Sequence, residues 1–280
     1  KAAEENANIG NFFWDPSGSP TLVYLGGGLR SIAYGINDYH EVVGSASTLS
    51  GFMQAFHWDS TAGMPGMGGP VGKDSAARDL NSKGTAVGRV EDPPLSSHGF
   101  IWDTATGMRD LLGGFEATAV NDWGVAVGGH TGWRDDGTDF SIGGPLVGGL
   151  EWLAAARGIS FTNQVVVVAE VSRLDGWRFK EAFRWSKGKG MTDLGSLSYV
   201  CGLTDHTSRE CSGANGINLW DQAVGWSGEY RTATLWNKGK IENLNDLIAS
   251  GTEWNLTEAK AINNQGLIAW MKRGQHKHKP

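Results

Sequence analysis

The chain has 280 residues, of which 40% are hydrophobic and 19% charged, a composition typical of a globular protein with a buried core. Its net charge of −6 disfavours a nucleic-acid partner, because binding to phosphates needs a basic surface. No apolar run reaches the ~18 residues that a membrane-spanning helix needs, so we expect no membrane span.

A short sequence block recurs along the chain at intervals of roughly 40–45 residues, which is the size of one β-propeller blade. Its clearest copies are residues 33–44, 77–88 and 117–128, and looser copies follow to the end of the chain. Each copy holds one polar residue at the same place, here called the anchor residue. The anchor residues are Asn37, Asn81, Asn121, Ser160, Asn218 and Asn263.

The residues that follow the anchors predict a tight turn and then a buried strand. The third residue after each anchor is of a type that tolerates positive φ, as a three-residue hairpin requires at its last position. Small or β-branched pairs such as Val42-Val43 and Ala86-Val87 come next, as expected for a strand buried on both faces. The six turn residues are His40, Gly84, Gly124, Asn163, Asp221 and Gly266.

A second block, with the pattern Ala-Phe-x-Trp, follows most copies of the first and weakens to Ile142 in the third repeat. We interpret its tryptophan as a wedge between adjacent sheets, with its indole N–H bound by backbone. A third block of the form Gly-Met-x-Asp-Leu ends several repeats, as at 107–114 and 190–195. The tryptophans of the second block are Trp58, Trp102, Trp185 and Trp236.

The two ends of the chain hold complementary halves of one repeat. The sixth repeat lacks its second half, and residues 11–27 carry a surplus second half. A ring closed by joining the termini accounts for both, whereas a linear solenoid would end in atypical caps. The sequence therefore predicts one all-β domain, 1–280, a six-bladed β-propeller of four-stranded blades closed by the N-terminal strands. The expected blades are 31–70, 75–114, 115–150, 153–195, 213–248, and 259–280 with 9–28.

Together these blocks resemble the bacterial "HAF" extracellular repeats, and the resemblance covers nearly the whole chain. The pattern departs in the second half of the third repeat and at Val167, which replaces a glycine. The resemblance implies a β-propeller and an extracellular location. It implies no catalytic residue. The chain begins at Lys1 and has no signal peptide, which we interpret as a mature or trimmed form.

Two cysteines, Cys201 and Cys211, lie in a long insert at 196–212. A local disulfide is the first interpretation, and it would imply an oxidising compartment. Two buried or free thiols are the alternative. The insert is either a binding loop held in shape by the bridge or a decoration that resists proteolysis.

Variable loops opposite the anchor turns carry the candidate functional residues. Aromatic rings beside arginines and carboxylates suit a saccharide site, because rings stack on sugar C–H faces and charged groups bind hydroxyls or uronates. Solvated loop residues and packing at the rim are the alternative. The candidate binding residues are Trp133, Asp135, Asp136, Glu170, Arg173, Asp175, Trp177, Trp226 and Glu229, and the candidate catalytic residues are His130, Arg134, His206, Tyr230 and Arg231.

The functional hypothesis is a secreted protein that recognises a glycan, with cleavage by a lyase or a glycoside hydrolase left open. A lyase needs a base such as Tyr230, His130 or His206 and a cation such as Arg134 or Arg231. A hydrolase needs two carboxylates, for which Asp135, Asp136, Glu170 and Asp175 are candidates. The alternative is a non-catalytic extracellular module with a protein partner. No cofactor is expected, although 135–139 faintly resembles a calcium loop.

Overall fold

A computed structural model gives an all-β protein built from small, mainly antiparallel sheets, which confirms the all-β class. The described part of the chain also contains a short 3-10 helix, Leu244–Leu247. None of the helical segments described is long and apolar enough to cross a membrane. The structure describes residues 12–15, 21–24, 30–92, 96–111, 115–134, 137–143, 154–172, 178–197, 209–228, 231–248 and 255–272.

The chain divides into two compact units. Unit 1 comprises Lys1–Gly128 with Trp133–Asp136, and unit 2 comprises Gly129–Gly132 with Gly137–Pro280. Both units are built from the same repeated hairpin, so each is described by itself.

Unit 1 contains a pair of N-terminal strands, a three-stranded sheet (β3, β4, β5), a four-stranded sheet (β6 to β9) and the antiparallel pair β10 and β11. The N-terminal pair, β1 and β2, is also antiparallel, with Trp14 opposite Leu22. The strands are β1 (Phe12–Asp15), β2 (Thr21–Tyr24), β3 (Ser31–Ile36), β4 (Val42–Ser47), β5 (Met53–Trp58), β6 (Ser75–Leu80), β7 (Ala86–Asp92), β8 (Ser96–Asp103), β9 (Gly107–Leu111), β10 (Ala119–Val120) and β11 (Ala126–Gly128).

The division between the units falls inside strand β12 (Thr131–Trp133). In unit 2, β14 to β17 and β19 to β22 form sheets in chain order, and β23 pairs with β24. One short strand, β18, runs parallel to β16. The strands are β13 (Asp139–Ser141), β14 (Ala154–Ile159), β15 (Val165–Ser172), β16 (Arg178–Ser186), β17 (Gly190–Asp193), β18 (Arg209–Glu210), β19 (Ser212–Ile217), β20 (Ala223–Ser227), β21 (Thr232–Asn237), β22 (Lys240–Asn243), β23 (Leu256–Ile262) and β24 (Ile268–Lys272).

All six anchor residues begin the same turn, which confirms the prediction from the repeat. In each, the anchor N–H donates to the carbonyl four residues later, and the N–H three residues later donates back to the anchor carbonyl. The residue that makes this return bond has positive φ in every copy, from 60° at Asn163 to 81° at Gly266. Only residues that tolerate the left-handed region fit there.

The asparagine anchors also join neighbouring repeats within each unit. The side-chain oxygen of Asn81 accepts from the N–H groups of Lys83 and Thr85, at 3.0 and 2.9 Å. Its amide nitrogen donates to the carbonyl of Asn121, the next anchor, at 2.9 Å. In unit 1 Asn37 donates in the same way to Asn81, and in unit 2 Asn218 donates to Asn263. One side chain therefore closes its own turn and holds the neighbouring one.

The glycine that follows the buried pair allows two backbones to approach closely. A Cβ atom on Gly88 would stand 2.1 Å from the carbonyl oxygen of Ala76 on the paired strand. The corresponding distances are 2.0 Å at Gly44, 1.8 Å at Gly128 and 1.9 Å at Gly225. No side chain fits at these four positions without movement of the backbone. Val167 occupies the same place in the fourth repeat, and the structure offers no account of how it is accommodated.

Two of the repeated tryptophans, Trp102 and Trp236, pack between adjacent sheets, as predicted. In unit 1 Trp102 joins a buried cluster with Val43 and Ala55 of the preceding sheet. In unit 2 Trp236 packs against Val166 and Ala182 of the preceding sheet. The indole N–H of Trp236 donates to the carbonyl of Gly195 at 3.2 Å, which is the backbone bond the prediction required. The core of each unit therefore lies between sheets rather than within one sheet.

Candidate functional site

Many of the candidate loop residues lie outside the described residues. The segment 135–139, which faintly resembles a calcium loop, begins among them, so the structure does not test that resemblance. Within the described part of the chain, no group of three or more His, Cys, Asp or Glu side chains is placed to hold a metal ion. The candidates outside the described residues are Asp135, Asp136, Arg173, Asp175, Trp177, Cys201, His206, Glu229 and Tyr230.

Trp133 belongs to the core of unit 1. Its ring is 6% exposed and packs in a cluster with Val87 and Ile101. Its indole nitrogen is buried and makes no hydrogen bond to any residue that the structure describes. A sugar stacks on an open ring face, which Trp133 does not offer. Arg134, the next residue, is partly buried.

The structure brings two of the predicted residues of unit 2 together. The Arg231 guanidinium lies over the Trp226 ring, 4.3 Å from its centre, and Trp226 itself is 5% exposed. Arg231 also approaches Glu258, at 3.8 Å, and Lys260 binds the same carboxylate at 2.7 Å. Asn215 donates to Glu258 as well. Arg231 thus has an aromatic and an acidic partner already, which favours a structural role.

Two further predicted residues of unit 2 are described separately. His130 is an exposed residue, and its carbonyl accepts from the N–H of Ile142 at 2.8 Å. Glu170 lies on β15 opposite Lys180, and its side chain is outside the described atoms. Neither observation groups them with Trp226 and Arg231.

Cys211 is fully buried at the end of β18 and is not a free cysteine. Its N–H donates to the carbonyl of Lys180, and its carbonyl accepts from Gly228 and from the hydroxyl of Ser196. The insert is therefore tied at its C-terminal end to the neighbouring strands. Because Cys201 lies outside the described residues, the expected Cys201–Cys211 bridge stays a prediction.

A different tryptophan of unit 2 stands open to solvent. Trp220, in the anchor turn of Asn218, is 62% exposed. Its indole N–H donates to the carbonyl of Asn264 at 3.0 Å, so the ring is held against the neighbouring anchor turn. It borders an open cavity of about 420 Å³. The cavity is lined by Trp220, Gln222, Asn237, Lys238, Asn264, Gln265 and Gly266.

The polar lining of the Trp220 cavity is oriented by backbone contacts. The side-chain oxygen of Asn264 accepts from the N–H of Leu219 at 3.0 Å. The side-chain oxygen of Gln222 accepts from the amide nitrogen of Asn218 at 2.8 Å. The orientation of the Asn218 amide is fixed, because its oxygen accepts from two backbone N–H groups. The amide groups of Gln222 and Asn264 are therefore fixed before any ligand binds.

Sequence reasoning missed Trp220 because it treated the anchor turns as purely structural. A signal was present: the second residue after the anchor is aromatic in three repeats, at Tyr39, Trp123 and Trp220. All three side chains are open to solvent, Tyr39 at 72% and Trp123 at 58%. In unit 1 the Lys83 ammonium lies 5.9 Å from the centre of the Trp123 ring. The anchor turns thus carry the open aromatic rings that were expected on the longer loops.

A larger cavity in unit 1, of about 540 Å³, has a different character. Its lining includes the apolar side chains of Met67, Phe100 and Met108. His98 and Asp110 also line it, with the His98 Nε2 atom 3.8 Å from a carboxylate oxygen of Asp110. It has no open aromatic ring, so it suits a saccharide less well than the Trp220 cavity.

Two carboxyl groups have raised pKa values, and burial is the main cause in both. Burial raises the pKa of Asp79 to about 6, with a smaller contribution from the charge of Asp122, against the lowering effect of the N–H groups of Val120 and Leu80. Burial and the charge of Asp193 raise the pKa of Glu181 to about 7. Neither residue lines the Trp220 cavity, so these carboxyl groups belong to the scaffold rather than to that site.

Comparison with known proteins adds no further assignment: no protein-family model matches the chain, and no curated protein matches it.

Proposed function

We propose that this protein binds saccharide chains at the Trp220 cavity of unit 2. The observation that carries the proposal is the open Trp220 ring, held by a backbone bond beside four carboxamide side chains. This proposal moves the site from the variable loops to an anchor turn. It keeps the class of ligand that the sequence predicts.

The chemistry of the cavity matches that of a sugar ring. A sugar presents C–H groups on its faces, which pack on an aromatic ring, and hydroxyls at its edges, which bind amides. A cavity of about 420 Å³ falls within the usual size of a small-ligand site. Because the ring and two of the amides are fixed in advance, little conformational entropy is lost on binding.

Replacing Trp220 with alanine should weaken saccharide binding about 10–30-fold, since a central aromatic residue typically contributes about 2 kcal/mol in a binding site. Isothermal titration with a panel of neutral and acidic oligosaccharides measures this. Trp123→Ala is the matched control, because Trp123 stands at the same place in a repeat of unit 1 but does not line this cavity. Unchanged affinity in Trp220→Ala, or no binding across the panel, would contradict the proposal.

The scaffold that we propose for this site is a six-bladed β-propeller of the HAF-repeat type. The anchor turn occurs six times with the same hydrogen bonds. The described N-terminal strands β1 and β2 make a two-stranded sheet, and so do β23 and β24. Two halves of two strands each would complete a sixth four-stranded blade.

Removing residues 1–29 should lower the melting temperature by about 10 °C or more, because it would leave the sixth blade incomplete and open the ring. Circular dichroism during heating measures the change. Removing residues 273–280, which lie beyond β24, is the control and should have little effect. If the chain without residues 1–29 melts like the intact one, the N-terminal strands do not close the fold.

We propose an extracellular location for the protein. The resemblance of the repeat blocks supports it, as does the expected Cys201–Cys211 bridge, because disulfides persist in oxidising compartments. The finding that Cys211 is not a free thiol agrees with that bridge.

A further inference from the structure

Two of the four carboxamides that line the Trp220 cavity, Gln222 and Asn264, already use their side-chain oxygens within the protein. The oxygen of Gln222 is occupied by Asn218, and the oxygen of Asn264 is occupied by Leu219. The side-chain nitrogens of Gln222 and Asn264 make no hydrogen bond within the described part of the chain. Each of these amides therefore offers a ligand its N–H groups and little acceptor capacity.

These orientations follow from the backbone and not from an arbitrary choice of amide rotamer. Leu219 N–H can donate only to an oxygen, which assigns the oxygen of Asn264. The two backbone donors on Asn218 assign its oxygen, and its nitrogen then assigns the oxygen of Gln222. Rotating the amide of Gln222 or Asn264 by 180° would place its NH₂ group against another N–H donor.

The charge of the lining adds to the preference for acceptors. Among the described residues of the lining, Lys238 is the charged one, and none carries a carboxylate. Lys238 makes no ion pair within the described residues, and it lies in a tight turn with φ of 49°. Asp221, the neighbour of Trp220, is within 3.5 Å of the Thr162 hydroxyl and is not part of the lining.

We infer that the saccharide unit bound at this cavity is anionic, and that its carboxylate or sulfate is bound by Lys238, Gln222 and Asn264. This inference rests on the proposed function and names the ligand class. A neutral sugar offers hydroxyls, which can both donate and accept, and leaves the lysine without a partner. An anionic group supplies several acceptor oxygens to the Lys238 ammonium and to the fixed amide nitrogens of Gln222 and Asn264.

The test compares three probes at low salt: an oligogalacturonate, its methyl ester, and a sulfated oligosaccharide that contains no uronate. We expect at least one anionic probe to bind about tenfold or more tightly than the methyl ester, because charge-assisted hydrogen bonds are the stronger ones. Binding of that probe should weaken as salt is raised. The two anionic probes distinguish a uronate site from a sulfate site.

Two variants test whether Lys238 and Gln222 cause the preference for the anionic probe. Lys238→Met should lower the affinity for the anionic probe about tenfold or more and the affinity for the methyl ester much less, so that most of the preference is lost. Gln222→Glu keeps an oxygen for Asn218 but replaces the free N–H donors with a negative charge. It should therefore abolish binding of the anionic probe and leave the fold intact. Circular dichroism of both variants verifies that the fold is intact.

The outcomes separate this inference from the proposed function. Equal binding of the methyl ester and both anionic probes would overturn the inference and leave saccharide binding intact. An anionic preference that persists in both variants would also overturn it. Failure of every probe to bind the intact protein would instead overturn the proposed function.

Discussion

Replacing Gly88 with alanine is expected to lower the free energy of unfolding by about 3 kcal/mol or more, a cost at the upper end of that measured for overpacked sites. The new Cβ would stand 2.1 Å from the carbonyl oxygen of Ala76 and 2.8 Å from the Cα of Ala77. Both are backbone atoms of the paired strand β6, so no side-chain rotation can relieve the clash. Urea denaturation followed by tryptophan fluorescence measures the loss.

Gly66→Ala is the matched control for Gly88→Ala. A Cβ at Gly66 meets nothing within 4 Å, and its backbone does not adopt positive φ. It should change stability by less than about 0.5 kcal/mol, as surface substitutions commonly do. Equal stability of Gly88→Ala and the wild-type protein would show that the strands can separate at this position, which would contradict the close approach.

Replacing Asn81 with alanine should cost about 2–4 kcal/mol. The side chain is 4% exposed, and its three hydrogen bonds go to Lys83, Thr85 and Asn121. Alanine leaves buried backbone groups without partners, each at about 1–3 kcal/mol, and partial access to water reduces the total. Chemical denaturation measures the difference.

The fourth repeat supplies the control for Asn81→Ala. Its anchor is Ser160, whose hydroxyl accepts from the N–H of Gln164 at 3.1 Å. Asn81→Ser should therefore recover part of the loss, since a serine can close the turn but cannot reach the next anchor. If the alanine and serine variants are both as stable as wild type, the anchor bonds do not hold the repeats together.

The anchor turns were predictable because their chemistry is local. An asparagine that accepts from the second and fourth following N–H groups needs only its own turn, as does a left-handed residue three positions later. The repetition of these residues at Asn37, Asn81 and Asn121 made the turn visible in one sequence. The all-β class followed from the same repetition.

The candidate site was not predictable in the same way, because burial is not a local property. Trp133 is buried by Val87 and Ile101, which come from another repeat. Trp226 is covered by Arg231 and lies against Gly213, where a Cβ would meet the indole nitrogen at 2.7 Å. Trp220 is 62% exposed, and its place two residues after an anchor, shared with Tyr39 and Trp123, is what separates it from these two in the sequence.

Residue order alone thus specified the repeat, its turns, the left-handed positions and the buried pairs, because each depends on a few neighbouring side chains and the steric limits of φ. Tertiary packing determined which tryptophans remain open to solvent and which amide atoms remain without a partner in the Trp220 cavity. Those properties arise from contacts between residues about one repeat apart, such as Trp220 with Asn264. A pattern read along the chain does not contain such contacts until the strands are packed together.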